Sequence, residues 1–256
     1  MKKLFLAVAL VAVFSFVAAA QDTNARAFLH SHGIQVRPGS EIQLTAPHAC
    51  SVSHAHPCVY YGGDFNTSDP NANGYANENT TFVPNTWTYA EVNSPVNHSI
   101  TASFGNIQPV AYDNIDPAQA MWEWRTGMSE GNGGTLVGSG TSAAQFTATG
   151  RICYGVYPEY ELLTKTVTSA TKGDNFFSVQ PQCTNPNNSN CGSEQYYTST
   201  TDGTLDAING NFTVGPNGTN ADGPFLNSAY FGITYGNWCT DLGLCTELGM
   251  SQGVLK

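Results

Sequence analysis

Short runs of alternating apolar and polar residues, separated by turn signals, limit the fold of this chain more than any other feature. Ala120, Trp122 and Trp124 alternate with Met121, Glu123 and Arg125, and a period of two places the first three on one face of a β-strand. Similar β-like runs occur at 99–104, 136–137, 143–148, 160–168, 175–179, 196–200 and 229–235. The segments 131–134 and 172–175 between them contain Gly, Asn and Asp, which suit hairpin turns. The pattern predicts an all-β protein, specifically a β-sandwich of jelly-roll type.

The first third of the chain has a different character. Residues 21–57 are polar and show no clear periodicity, and residues 64–85 are dense in Asn, Gly, Pro and Thr. We therefore predict a loop-rich N-terminal arm over 21–81 and a β-sandwich domain over 82–256. The only helix-like patch, at 116–120, is too short to change the fold class.

The N-terminus has the three regions of a secretory signal peptide. Lys2 and Lys3 precede an apolar run at 4–17, and Ala18-Ala19-Ala20 satisfies the small-residue rule for cleavage. We predict a signal peptide over 1–20 and a secreted product, extracellular or periplasmic. The later sequence has no apolar stretch near twenty residues, so no membrane span is expected after cleavage.

The charge balance limits the partners of the mature chain. The whole chain has a formal net charge of −10, and removing Lys2 and Lys3 would leave 7 basic against 19 acidic residues. Such an acidic protein is repelled by nucleic acid and by anionic lipid. Charged residues make up only 11% of the chain, which disfavours a helical bundle.

Seven cysteines follow the predicted cleavage point, and in an exported protein they are first interpreted as disulfides. Three pairs are close in sequence: Cys50 with Cys58, Cys183 with Cys191, and Cys239 with Cys245. Local pairing would close three loops and leave Cys153 unpaired. The sequence alone does not prove this connectivity.

A histidine cluster overlaps the first cysteine pair. His48, His54 and His56 lie within nine residues, with His30 and His32 upstream. Two imidazoles spaced by two residues share a face of an extended segment and are suitable ligands for zinc or copper. The alternative is a disulfide loop that carries solvent-exposed histidines.

A second candidate metal site would bind calcium. Asp69, Asn71 and Asn73, followed by Gly74, reproduce the first half of a calcium-binding loop. The position that should hold a bidentate Glu is Thr80, and Glu78 lies two residues short of it. An ordinary Asx-rich loop is the alternative.

The motifs for catalysis are incomplete. Ser129 lies in a Gly-x-Ser-x-Gly pattern, but no histidine follows His98 to serve as the base of an α/β-hydrolase. A glycosidase would need two carboxylates about 5–10 Å apart. The carboxylates that lie near aromatic residues in the sequence are Glu123, Glu159, Glu161 and Asp206.

Aromatic residues suggest binding rather than turnover. Trp87, Tyr196 and Trp238, together with Tyr89 and Tyr197, are candidates for stacking on sugar rings. The alternative is that these rings pack inside the protein.

Several segments resemble a pattern found in exported, functionally uncharacterised β-sandwich proteins of environmental bacteria. They are 122–127 (Trp-Glu-Trp-Arg-Thr-Gly), 131–137 (Gly-Asn-Gly-Gly-Thr-Leu-Val), 148–151 (Ala-Thr-Gly-Arg), 175–179, 199–203 and 229–232. The resemblance covers the chain from about Phe82 onward. It implies secretion and a β-sandwich, and it implies no catalytic residues. The His/Cys-rich segment before Phe82 departs from the pattern.

The sequence thus predicts a secreted, non-catalytic binding or surface-structural protein, with a carbohydrate or another surface component as its partner. The alternative is an extracellular polysaccharide-active hydrolase that uses paired carboxylates. No nucleic-acid partner is expected.

Overall fold

A computed structural model describes ten parts of the chain. They are residue 50 and residues 58–65, 74–80, 84–94, 96–110, 119–153, 157–182, 195–201, 224–237 and 249–256. Every regular element in these ranges is a β-strand, which confirms the predicted all-β class. The strands are β1 (Cys58–Tyr61), β2 (Gly74–Ala76), β3 (Trp87–Ser94), β4 (His98–Val110), β5 (Gln119–Thr126), β6 (Thr135–Cys153), β7 (Tyr157–Ala170), β8 (Gly173–Gln182), β9 (Gln195–Thr201), β10 (Phe225–Ser228), β11 (Ile233–Asn237), β12 (Gly249–Met250) and β13 (Gln252–Leu255).

The strands form one large antiparallel sheet. Its main path runs β1-β13-β4-β7-β6-β5-β8-β3-β10-β11, and β9 joins β4 while also pairing with β2 and β12. Along the β5–β8 ladder, Trp122 lies opposite Val179 and Trp124 opposite Phe177. Directly opposite residues share a face of the sheet, so these four apolar side chains lie together.

The sheet curls around its main core. Gln252 of β13 accepts a hydrogen bond from the Val179 amide of β8 at 3.2 Å and donates one to the Thr88 carbonyl of β3 at 3.1 Å. In the sheet order β13 and β8 are separated by β4, β7, β6 and β5. Strands that are far apart in the sheet order therefore meet across the core.

Aromatic rings fill the centre of this core. The Trp124 and Phe177 rings stack with centroids 5.4 Å apart, and Tyr60 meets Phe177 edge-on at 6.0 Å. Trp124 and Phe177 are each 1% exposed. Trp122 lies over Gly140, where an added Cβ would be 3.0 Å from the indole ring. The glycine therefore makes room for a large ring on a neighbouring strand.

Two strands come from the region predicted to be a loop-rich arm. β1 pairs with β13, and β2 pairs with β9. Val59 and Tyr60 are 8% and 2% exposed and belong to the main core. Their β-branched and aromatic side chains favour a strand once a partner edge is present, so the sheet begins earlier than residue 82.

The predicted strand at 229–235 is wrong in its first half. Residues 229–232 form the turn between β10 and β11. Gly232 adopts a φ of +69°, and the Ser228 hydroxyl accepts a hydrogen bond from the Phe231 amide at 3.3 Å. Conversely, the two predicted runs at 136–137 and 143–148 belong to one strand, β6.

Gly253 offers a test of how closely β13 packs against β4. A Cβ at this position would lie 2.4 Å from the Phe104 ring and 3.0 Å from the Tyr60 carbonyl oxygen. We expect Gly253→Ala to lower the free energy of unfolding by about 1–3 kcal/mol because the buried ring must move. Urea unfolding measures the change.

Gly105→Ala is the matched control, because Gly105 pairs with the residue that precedes Gly253. Its added Cβ would make its nearest contact at 3.4 Å, which is ordinary packing distance. Equal effects of the two substitutions would contradict the close packing at Gly253.

Candidate functional site

A charged and aromatic cluster lies on the face of β5 opposite the main core. Trp122 and Trp124 point into the core, so alternation places Glu123 and Arg125 on the other face. Both side chains keep partial solvent access, at 17% for Glu123 and 13% for Arg125. We name Glu123, Arg125, Tyr89 and Tyr235 the Arg125 site.

Hydrogen bonds fix the geometry of the Arg125 site. Glu123 Oε2 accepts one from Tyr89 Oη at 2.7 Å and one from Arg125 Nε at 2.8 Å. Arg125 Nη1 donates to the Gly133 carbonyl at 3.1 Å. The guanidinium is therefore held by a carboxylate on one side and by the β5–β6 turn on the other.

Two tyrosine rings flank the guanidinium. Arg125 Cζ lies 5.1 Å from the Tyr235 ring centroid and 5.9 Å from that of Tyr89. Both distances are within the range of a cation–π contact. Tyr235 has a φ of +46°, which is a sparsely populated conformation for a tyrosine and marks local backbone strain.

The protonation states of the site follow from burial and from charge. Burial, together with the neighbouring Glu123 carboxylate, raises the pKa of Tyr89 far above its usual value, so its hydroxyl stays a donor. Burial alone would lower the pKa of Arg125, but Tyr89 and Glu123 more than offset this effect. The net shift is upward, and the guanidinium stays charged.

Apolar side chains support the site from below. Trp87, Tyr89, Met128, Phe176 and Phe225 form a second buried cluster, separate from the main core, against which Tyr235 packs. The Trp87 and Tyr89 rings stack with centroids 6.2 Å apart. These contacts keep the tyrosine rings in place when the site is empty.

The predicted stacking residues are distributed differently from the expectation. Trp87 is 6% exposed beneath the Arg125 site, and Tyr196 is 1% exposed in the main core. Neither ring offers a face to a ligand, because each is covered by other side chains. Trp238 lies outside the described residues. Tyr89 does line the site, although its own ring is fully buried.

The predicted carboxylates do not come together at the Arg125 site. Glu159 is fully buried, and its Oε1 accepts a hydrogen bond from Arg151 Nε at 2.7 Å. Glu161, two residues further along β7, is 8% exposed. Asp206 lies outside the described residues. Glu123 is therefore the most accessible of the three described carboxylates.

Glu159 belongs to a buried polar network that the sequence did not reveal. Arg151 Nη1 lies 2.7 Å from Asp64 Oδ2, so the guanidinium joins Asp64 to Glu159. Tyr61 donates a hydrogen bond to Asp64 and accepts one from Asn106 Nδ2 at 2.8 Å. The network thereby attaches residues 61–64 to β4, β6 and β7.

The structure contains the predicted Cys50–Cys58 pair and shows the state of Cys153, which the sequence left open. Cys50 and Cys58 form a disulfide with Cα atoms 5.6 Å apart. Cys153 is a buried free thiol, and burial followed by the charge of Glu159 raises its pKa well above the usual value. Cys183, Cys191, Cys239 and Cys245 lie outside the described residues.

The predicted metal ligands also lie outside the described residues. This applies to His48, His54 and His56 and to Asp69, Asn71 and Asn73. In the part of the chain that the structure describes, no three His, Cys, Asp or Glu side chains are grouped to hold a metal ion. The same part contains no helix that is long and apolar enough to cross a membrane.

No protein-family model matches the chain, and no curated protein or solved structure is significantly similar to it.

Proposed function

We propose that this chain is a secreted, non-catalytic binding protein built on a β-sandwich of jelly-roll type. Its ligand would be a carbohydrate or another extracellular surface component. The curled antiparallel sheet and the Cys50–Cys58 disulfide support this proposal, because disulfides form in oxidising compartments. We also propose that a bound calcium ion would lie in the Asp69 loop and a bound zinc or copper ion in the N-terminal histidine cluster.

The observation that carries the proposal is the partly exposed Arg125–Glu123 pair between two tyrosine rings. Binding sites typically combine an apolar or aromatic wall with a few fixed polar groups. Here the half-buried Tyr235 side chain would contribute to the aromatic wall, while Arg125 and Glu123 would offer a donor and an acceptor for adjacent hydroxyl groups. Sugar rings present that combination of C–H faces and hydroxyls.

Preorganisation also favours binding. Glu123, Gly133 and Tyr235 hold the guanidinium in place without a ligand. A ligand therefore does not need to order these side chains, and the entropic cost of association is lower.

Replacing Glu123 with glutamine tests the site. The amide keeps the size of the side chain but removes the charge that orients Arg125, so we expect glycan affinity to fall about tenfold or more. Retention on a panel of immobilised glycans, with reducing-sugar detection in the same wells, is the measurement. Asp174→Asn is the control, since Asp174 is an exposed carboxylate elsewhere in the sheet, on β8.

The outcomes separate the two functions. Glycan retention without sugar release supports the binding protein, provided that Glu123→Gln weakens the retention and Asp174→Asn does not. Sugar release that Glu123→Gln abolishes would instead establish the polysaccharide-active hydrolase, with Glu123 as one of its carboxylates. No retention on any glycan would refute the carbohydrate proposal.

A further inference from the structure

Three buried side chains on neighbouring strands bring a hydroxyl, a carboxylate and a carboxamide into direct contact. Ser199 of β9, Glu159 of β7 and Gln108 of β4 are 0%, 0% and 2% exposed. Ser199 Oγ donates a hydrogen bond to Glu159 Oε2 at 2.7 Å and accepts one from Gln108 Nε2 at 2.9 Å. The serine hydroxyl therefore lies between a proton acceptor and a carboxamide.

Regular strands position the hydroxyl and the carboxamide. β4 pairs with both β7 and β9 in this part of the sheet. Gln108 lies opposite Tyr197 of β9, and directly opposite residues share a face of the sheet. Ser199 is two residues further along β9, so its side chain is on that same face. The contact between Ser199 and Gln108 thus follows from the strand register and not from a loop.

The carboxylate is oriented toward the serine by other side chains. Glu159 Oε1 accepts hydrogen bonds from Arg151 Nε at 2.7 Å and from Thr149 Oγ1 at 3.1 Å, while Oε2 faces Ser199. A hydroxyl within hydrogen-bond reach of a base, with the base held by a third group, is the arrangement that activates serine as a nucleophile.

The carboxamide is held close to the hydroxyl. A Cβ at Gly74 of β2 would be 2.9 Å from Gln108 Oε1, so this glycine makes room for the amide group. Because an amide C–N bond is about 1.33 Å long and Nε2 is 2.9 Å from Ser199 Oγ, the amide carbon lies within about 4.2 Å of the hydroxyl oxygen. Reacting atoms in a productive geometry are about 3–3.5 Å apart, so a shift of about 1 Å is sufficient.

We propose that Ser199 and Gln108 become joined by an intramolecular ester bond. Ser199 Oγ attacks Gln108 Cδ while its proton passes to Glu159, which then delivers the proton to the departing nitrogen. The Cδ–Nε2 bond breaks, one molecule of ammonia leaves, and the new Cδ–Oγ bond ties β4 to β9. The reaction is redox-neutral. Burial of all three side chains excludes the water that would hydrolyse the ester.

The ester goes beyond glycan binding, because it would stabilise the sheet whatever the ligand is. It would also differ from the Cys50–Cys58 disulfide, since an ester is not broken by reducing agents. The two bonds would act in different parts of the sheet, because β1 pairs with β13 and not with β4 or β9.

Peptide mapping of the full chain by mass spectrometry, after denaturation and reduction, tests the linkage. Arg125 and Lys172 separate Gln108 from Ser199 in the sequence, so trypsin should place the two residues in different peptides. We expect these peptides to be recovered joined, at their summed mass less one molecule of ammonia. Hydroxylamine, which cleaves esters, should separate them. Loss of ammonia elsewhere in the chain would not join two peptides.

Ser199→Ala removes the nucleophile, so its two peptides should be recovered separately, with the Gln108 amide intact. Thr198→Val is the matched control. Thr198 is a buried hydroxyl on the same strand, and it accepts a hydrogen bond from the Asn77 carboxamide at 2.8 Å. Among the described residues no carboxylate is hydrogen-bonded to it, so this substitution should leave the joined peptides in place.

The unmodified protein alone can contradict the ester, whatever the variants do. Separate peptides from it, with Gln108 still an amide, would overturn the proposal. Joined peptides in Ser199→Ala would do the same, because another group would then have to supply the bond. If Thr198→Val folds but lacks the joined peptides, the hydroxyl belongs to Thr198 and the assignment to Ser199 is wrong.

Discussion

Arg151→Met should lower the free energy of unfolding by about 3–5 kcal/mol. The substitution keeps much of the length of the side chain but removes the charge between Asp64 and Glu159. Glu159 is fully buried, so its carboxylate would lose its main counter-charge without gaining water. Denaturant unfolding at constant pH measures the loss.

A double-mutant cycle shows whether the unpaired charge of Glu159 causes the loss of stability. Glu159→Gln in the Arg151→Met background replaces the isolated carboxylate with a neutral amide of similar shape. The double variant should be more stable than Arg151→Met alone, because the buried charge is gone. If the free energy of unfolding of Arg151→Met lies within about 0.5 kcal/mol of that of the unmodified protein, the network contributes little to stability.

The second large effect is a loss of stability with rising pH, caused by Glu78. Burial raises its pKa to about 8 in the folded protein, against a reference value of 4.5. Between these values the folded state holds more protons than the unfolded state, so the unfolding free energy falls as pH increases. The stabilisation is complete below about pH 4.5 and is lost as the pH passes about 8. The difference can reach about 4 kcal/mol.

Glu78→Gln isolates this contribution from the other carboxylates. The amide cannot titrate, so the stability of the variant should change little across the same window. Subtracting its pH profile from that of the unmodified protein gives the contribution of Glu78. Parallel profiles for the two proteins would show that Glu78 ionises normally.

The sequence predicts features that depend on neighbours along the chain. The alternation in β5 correctly assigned Trp122 and Trp124 to the core and Glu123 and Arg125 to the other face. Periodicity works there because a strand repeats every two residues whatever its partners are. Periodicity did not predict the turn at 229–232, because an apolar run resembles a strand even when Gly232 allows the chain to reverse.

Long-range contacts left no signal in the sequence. Arg151 meets Asp64 across more than eighty residues, and Asn77 donates a hydrogen bond to Thr198 across more than one hundred. Nothing in the local pattern of either segment indicates which distant strand it will approach. The Arg125 site could be predicted in part, since the sequence analysis named both Glu123 and Tyr89 as candidates. Tyr235 could not, because its position depends on the β10–β11 turn.

The pairing of β1 with β13 has a consequence for the order of folding. Cys58 pairs with Leu255, so the two strands lie almost two hundred residues apart in the chain. Closing a loop of that length is entropically costly, and sheets dominated by distant pairings fold slowly. Because β13 also lies between β1 and β4, β1 has no edge to join until β13 has left the ribosome. The pairing of β1 must therefore follow synthesis of the roughly two hundred residues that separate the two strands.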